Sequence, residues 1–249
     1  MPDDLNAAYP PLDVLKPVAE YIWIVDGPII RFGMPWPKME FPTRMTIVRA
    51  QDGRLFVHSP TRLSDDLIKA VGKLGPVGWV IGPNRIHYWW LPDWKRQFPQ
   101  AEIWLAPRIR EQAGAHIDFD CRELGAQDLY PWDDDLITLP VHGSFMTEMV
   151  FFHKSSRTLI LTDLIENFEA GKLGSGLKRW LTRLAGIQHP DGQMPRDMRL
   201  TFRKQKTELK AAVETMIGWE PERIIIAHGR WFRQGGAAEL GRAFRWLLD

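Results

Sequence analysis

The 249-residue sequence predicts an α/β fold: a four-layer αββα sandwich in which two mixed sheets face each other and helices cover their outer sides. Three observations lead there. Strand-like runs fall into two groups, one before residue 106 and one from residue 136 onward, and helical spacing accompanies each. Short runs at 77–81 and 158–162 are largely apolar, as strands covered on both faces are. No repeat, low-complexity tract or shift in composition marks a linker, so one domain over 1–249 is expected.

Taken in order, the first 20 residues are Pro-rich and are expected to lie over the surface before a strand at 21–25. Residues 27–42 carry several prolines and little periodicity, and read as a loop. Residues 43–49 and 55–58 read as two strands joined by a turn at Gln51-Asp52-Gly53. Ser64 fits the N-cap of a helix running to Lys73, with Leu67, Ile68 and Val71 on one face. A strand at 77–81, a helix at 91–97 and a strand at 102–106 follow. The second half reads as strands at 136–140, 148–153 and 158–162. Mainly helical residues at 166–218, a strand at 223–227 and a closing helix at 237–248 complete it.

Apolar residues make up 45% and charged residues 25%, which places the chain among ordinary soluble globular proteins. A net charge of +1 points neither to nucleic acid nor to an anionic membrane. No apolar run approaches the ~18 residues that span a bilayer, and the start Met-Pro-Asp-Asp lacks a secretory signal. The expected address is cytoplasmic. Cys121 is the only cysteine, which excludes a disulfide framework and a thiolate zinc site. Among twelve tryptophans, Trp89, Trp90, Trp94 and Trp231 stand beside possible chemistry, as core fillers or as walls of an aromatic pocket.

Four potential ligands stand at or just past the ends of expected strands: His87, His142, Asp163 and His228. Strand ends present side chains at the rim of a sheet, where groups distant in sequence converge. Three imidazoles and a carboxylate suit zinc first, with iron and manganese also compatible. Each residue alone is more simply a hydrogen-bonded structural His or a capping Asp; the recurrence at four strand ends is the signal. His58, His116, His153 and His189 stand outside this set, with a supporting role open to His58.

Read in order, Met45–Ser59, Val77–Leu91, Leu139–Gly143, Leu159–Asp163 (LILTD) and Ile224–Gly229 (IIIAHG) resemble the successive segments of the metallo-β-lactamase-like superfamily. The block from His142 to Asn167, with FPTRMT and HSPT, resembles an uncharacterised branch of it. The resemblance implies the αββα fold and a metal site. It departs at the first motif, His-x-His-x-Asp-His. Aligning His87 with the last His leaves Gly82, Asn84 and Ile86 at the other ligand positions. A two-metal site is therefore not expected, and a single ion held by His87, His142, Asp163 and His228 is.

The implied function is a metal-dependent hydrolase with a reduced, single-ion site. Without the motif Asp, a single divalent ion can still activate a bound water by itself, and Glu148, Glu166 and Asp93 are candidate substitutes for the base. Asn84, or else Asn167, fits as a hydrogen-bond donor to a developing oxyanion. Residues 171–210 hold ten Lys or Arg against three Asp or Glu. That stretch reads either as a solvated helical face or as a basic lid selecting an anionic small-molecule substrate. The alternatives are a non-catalytic binding or regulatory protein that kept the fold and lost the metal chemistry, and a redox enzyme using iron. Neither nucleic acid nor membrane is expected as a partner.

Overall fold

The strands pair into two sheets in a computed structural model that describes residues 8–32, 39–127 and 129–249. The first sheet runs β1 (Lys16–Ala19), β2 (Ile22–Phe32), β3 (Met39–Arg49), β4 (Leu55–His58), β5 (Val77–Gly82), β6 (Glu102–Leu105) and β7 (Arg122–Glu123), in that spatial order. It is antiparallel from β1 to β4 and parallel from β4 to β7. The second sheet contains β8 (Leu136–His142), β9 (Thr147–His153), β10 (Thr158–Ile160) and β11 (Arg223–Ile225) in the order β11-β10-β9-β8. Only its β10–β11 pair is parallel.

Alternation along β9 assigns the layers. Met149 and Phe151 join the core shared with Phe56 and Trp79 of the first sheet and with Trp132, which lies just before β8. Val150 and Phe152, on the opposite face, pack into a second core with Leu209, Val213 and Leu240. That outer core is closed by α6 (Lys206–Gly218), α7 (Gly236–Ala243) and α8 (Arg245–Leu248), after α4 (Gly176–Ala185) and α5 (Arg196–Thr201). The first sheet receives α1 (Asp65–Leu74), α2 (Leu91–Gln97) and α3 (Ile109–Ala113). Helix α1 shows why: the Ser64 hydroxyl accepts the Leu67 N–H at 3.2 Å and caps it. Leu67 and Val71 are then buried, each worth about 1.5–3 kcal/mol. The result is the predicted αββα sandwich.

Local expectations fail where tertiary pairing overrides composition. Most of 27–42 is strand, since β2 and β3 pair as far as Phe32 and Met39. Pro28 lies in the register shift between Asp26 and Ile29, where a missing ladder donor is tolerated. Residues 33–38 of the expected loop lie outside the described residues. The stretch 166–218 is mainly helical, as expected, but it is broken into short pieces, because bridges such as Phe168–Gln188 and Glu166–Gln193 tie it back upon itself. The closing helix breaks at Phe244.

A buried guanidinium joins the two sheets. Arg44 of β3 pairs with Asp26 at 2.7 Å and donates to the carbonyls of Ile226 and Gly229, each at 2.8 Å.

Candidate metal centre

Parallel register assembles the site. Ile160 of β10 is paired with Ile225 of β11, so residues three further along each strand, Asp163 and His228, emerge side by side. His228 Nε2 lies 3.1 Å from Asp163 Oδ1. On the facing sheet, β4 and β5 are also parallel, and the turn after β5 brings His87 Nε2 to 3.2 Å from Asp163 Oδ2. One ligand atom from each of His87, Asp163 and His228 lies within 4.8 Å of the other two. Two imidazoles and one carboxylate so placed can hold a metal ion.

The outer nitrogens of both imidazoles are anchored. His228 Nδ1 donates to the Pro42 carbonyl at 2.8 Å, which leaves Nε2 of the neutral ring free to act as a ligand. His87 Nδ1 lies 2.7 Å from the Ser59 hydroxyl. Burial opposes ionisation of Asp163, but the charges and N–H groups of His87 and His228 override it and hold the acid below the usual carboxylate range. Burial likewise opposes charging of His228, yet its bond to Asp163 raises it above an ordinary imidazole.

His142 is not brought in with the other three. It ends β8, the edge strand of the second sheet, and β9 separates it from β10. Two strand spacings amount to about 10 Å, beyond the reach of one ion. Its ring stands exposed beside Thr147, with Nδ1 3.2 Å from that hydroxyl.

The two residues expected to act on substrate support the site from behind; neither lines the cavity above it. Glu148 shares the outward face of β9 with Val150 and Phe152, so strand alternation turns it away. Its carboxylate accepts the backbone N–H groups of Thr162, Asp163 and Leu164 at 2.7, 2.8 and 3.1 Å, fixing the turn that carries Asp163. Burial and the nearby Asp163 charge push Glu148 up to about 7, while these backbone bonds work the other way. Asn84 is fully buried, and its Nδ2 donates to Thr162 Oγ1 at 2.9 Å and Asp163 Oδ2 at 2.6 Å. Its Oδ1 accepts the Ile86 N–H at 3.0 Å, which shapes the turn presenting His87. Asp93 pairs with Arg96 on the surface, and Asn167 donates to the Arg230 carbonyl.

Above the ligands opens a cavity of about 570 Å³ whose walls include Ile30, Phe41, Ile86, Leu181 and Ile187. Glu166 also faces it; burial pushes its carboxyl up to about 8. Of the ten cations in 171–210, only Arg196 lines this cavity. Lys178 is paired with Glu40, and Lys172 and Lys210 are bound to backbone carbonyls. Trp89 stands at the cavity, whereas Trp94 is a core residue and Trp90 and Trp231 pack partly buried against the core.

Sequence reasoning missed the anchors Ser59 and Pro42. Ser59 carried a local signal, a hydroxyl just past a strand that runs beside β5; Pro42 acts through its backbone and carried none.

Solved structures share this architecture. A metallo-β-lactamase from Pontibacter korlensis matches with a TM-score of 0.58 and 12% identity, over 95% of this chain and 99% of that one. The mono-zinc form of the metallo-β-lactamase FIM-1 from Pseudomonas aeruginosa matches at 0.57 and 13%, over 95% and 96%. The Flv1 flavodiiron core from Synechocystis sp. PCC6803 matches at 0.61 and 13%, over 94% of this chain and 60% of that one. The fold is therefore that of the metallo-β-lactamases. No curated protein matches the sequence. A family model described as a domain of unknown function (DUF4336) matches residues 22–172.

Proposed function

The chain belongs to the DUF4336 family, and from its site we propose that it is a metal-dependent hydrolase holding one divalent ion through His87, Asp163 and His228. The convergence of three ligand atoms within 4.8 Å, at the floor of an apolar cavity, carries this reading. A divalent ion there supplies Lewis acidity. Zinc fits the donor set, and the mono-zinc form of FIM-1 is a precedent for one ion on this fold.

The chain's own residues divide the remaining work. Pro42 and Ser59 orient the two imidazoles, while Asn84 and Glu148 position Asp163. Glu166 lines the cavity and its carboxyl takes part in no hydrogen bond among the described residues, so it is the group available to move a proton at the reacting bond. The largely apolar walls favour a substrate with an apolar body and a polar reacting group at the floor. A second reading, iron-dependent redox chemistry, is favoured by the two-His, one-carboxylate donor set and by the flavodiiron match.

Elemental analysis of protein purified without chelator tests both. About one equivalent of metal is expected in the wild type and in His142→Ala, with loss in Asp163→Asn and His87→Ala. The identity of the metal separates hydrolytic from redox chemistry. Less than about a tenth of an equivalent in the wild type would leave a binding protein that has lost its metal.

A further inference from the structure

The net charge of +1 conceals an uneven surface. Of the nine exposed large apolar side chains among the described residues, six belong to the loops and helices that line the cavity: Trp89, Phe145, Leu177, Trp180, Leu184 and Leu200. On α4, Leu177, Trp180, Leu181 and Leu184 follow the i, i+3, i+4, i+7 spacing of one helical face. Leu181 and Leu184 line the cavity, while Trp180 is 57% exposed and Leu177 46%. The same helix carries Arg179 and Arg183, besides Lys178, which is paired with Glu40 of β3.

A second observation lies next to it. A smaller cavity of about 280 Å³ is bordered by Arg196, Arg199, Arg203 and Lys206 over Phe202 and Trp246, and no carboxylate lines it. Arg196 borders both cavities, so the cationic pocket adjoins the apolar mouth. Leu200, 60% exposed, stands among these cations.

We propose that this face, formed by α4 and α5 around the cavity mouth, docks onto an anionic lipid surface. A contiguous exposed apolar patch marks an interaction site, since leaving it in water is costly. Its chemistry selects the occupant. A short amphipathic helix with Trp and Leu on one side and Lys and Arg on the other lies in the interfacial plane of a bilayer. Tryptophan is suited to the headgroup level, and neighbouring cations are drawn to anionic headgroups. A second copy fits less well, because a two-fold interface would set the same cations against each other. Docking in this pose opens the cavity towards the bilayer. The proposed contact is one of surface adsorption; no helix among the described residues is long and apolar enough to cross a membrane. Neither the metal nor its ligands enter this inference, and it stands or falls apart from the metal analysis.

Co-sedimentation with vesicles tests it, using equal parts of phosphatidylcholine and phosphatidylglycerol against phosphatidylcholine alone. The wild type is expected to partition about tenfold more strongly to the anionic vesicles, with binding weakened by salt. The double variant Leu177→Glu/Trp180→Glu and, separately, Arg203→Glu/Lys206→Glu are expected to lose about tenfold of that binding while melting like the wild type. Leu129→Glu, at an exposed apolar residue of another loop, is expected to bind normally. Equal partitioning to both vesicle types, no partitioning to either, or equal loss in the Leu129 variant would each overturn the proposal. So would a change of oligomeric state in the Leu177/Trp180 variant with vesicle binding intact, which would assign the face to a second copy.

Discussion

Asn84 donates a 2.6 Å hydrogen bond to Asp163 Oδ2 from a position where the resembling motif carries a metal-binding imidazole. The contact turns a position for a ligand into a support for one. Replacing Asn84 with Ala removes the donor and frees the turn that presents His87. A fall in metal affinity of about 10–100-fold is expected, as for other partners of ligating carboxylates. Competition against a chelator of known affinity measures it, and unchanged affinity would count against the supporting role.

Glu148 is predicted to matter for stability before chemistry. Glu148→Ala leaves three buried backbone N–H groups, those of Thr162, Asp163 and Leu164, without their acceptor. Each unsatisfied donor costs about 1–3 kcal/mol, so a clear drop in the urea midpoint is expected, together with metal loss as the Asp163 turn loosens. A variant that is inactive yet as stable as the wild type would instead restore Glu148 to a direct catalytic role.

Gly229 follows His228 with φ +95°, and a Cβ there would run into the Asn167 backbone carbonyl. Gly229→Ala must therefore move the turn that sets the His228 imidazole. A loss of more than about 1 kcal/mol is expected from the positive φ alone, with reduced metal content read in the same preparation. Full metal loading at wild-type stability would show the turn to be more tolerant than its packing implies.

His58 supplies a pH test beside the candidate ligands, whose charges it feels. It is buried against Phe151, and burial first, then the neighbouring His87 charge, lowers its imidazole to about 3. The unfolded value is about 6.5. Between those values the unfolded chain binds a proton that the folded chain does not. The His58 contribution is thus fully present above pH ~6.5 and is lost as pH falls, by about 2 kcal/mol at pH 5. His58→Leu removes this dependence. Urea titrations at pH 5 and pH 8 are expected to show the variant gaining on the wild type at the lower pH; a gap that does not change with pH would remove the explanation.

The fold was legible because its signals are periodic. Runs such as 77–81 and 158–162 are apolar because both faces are covered, and β5 and β10 occupy those places. The parallel strands also made Asp163 and His228 legible, since a ligand just past each of two neighbouring strands is a local pattern. His142 looks the same in sequence and fails because spatial strand order, which no local pattern encodes, sets it on the edge. Glu148 was misread for a finer reason: its position suited the site, but alternation along β9 gave its side chain to the other face. The prolines of 27–42 misled in the opposite direction, because a bulge accommodates Pro28 within a long hairpin.

The Arg44 link between β3 and the carbonyls of Ile226 and Gly229 has a counterpart in the bond from His228 to the Pro42 carbonyl. Both bring residues more than 180 positions apart into contact across the sandwich. A metal ion bound by His87 from one half and by Asp163 and His228 from the other would act as a rivet through the same seam. Its occupancy would then report on whether the halves are joined, and stripping it would lower the cooperativity of unfolding as well as the chemistry.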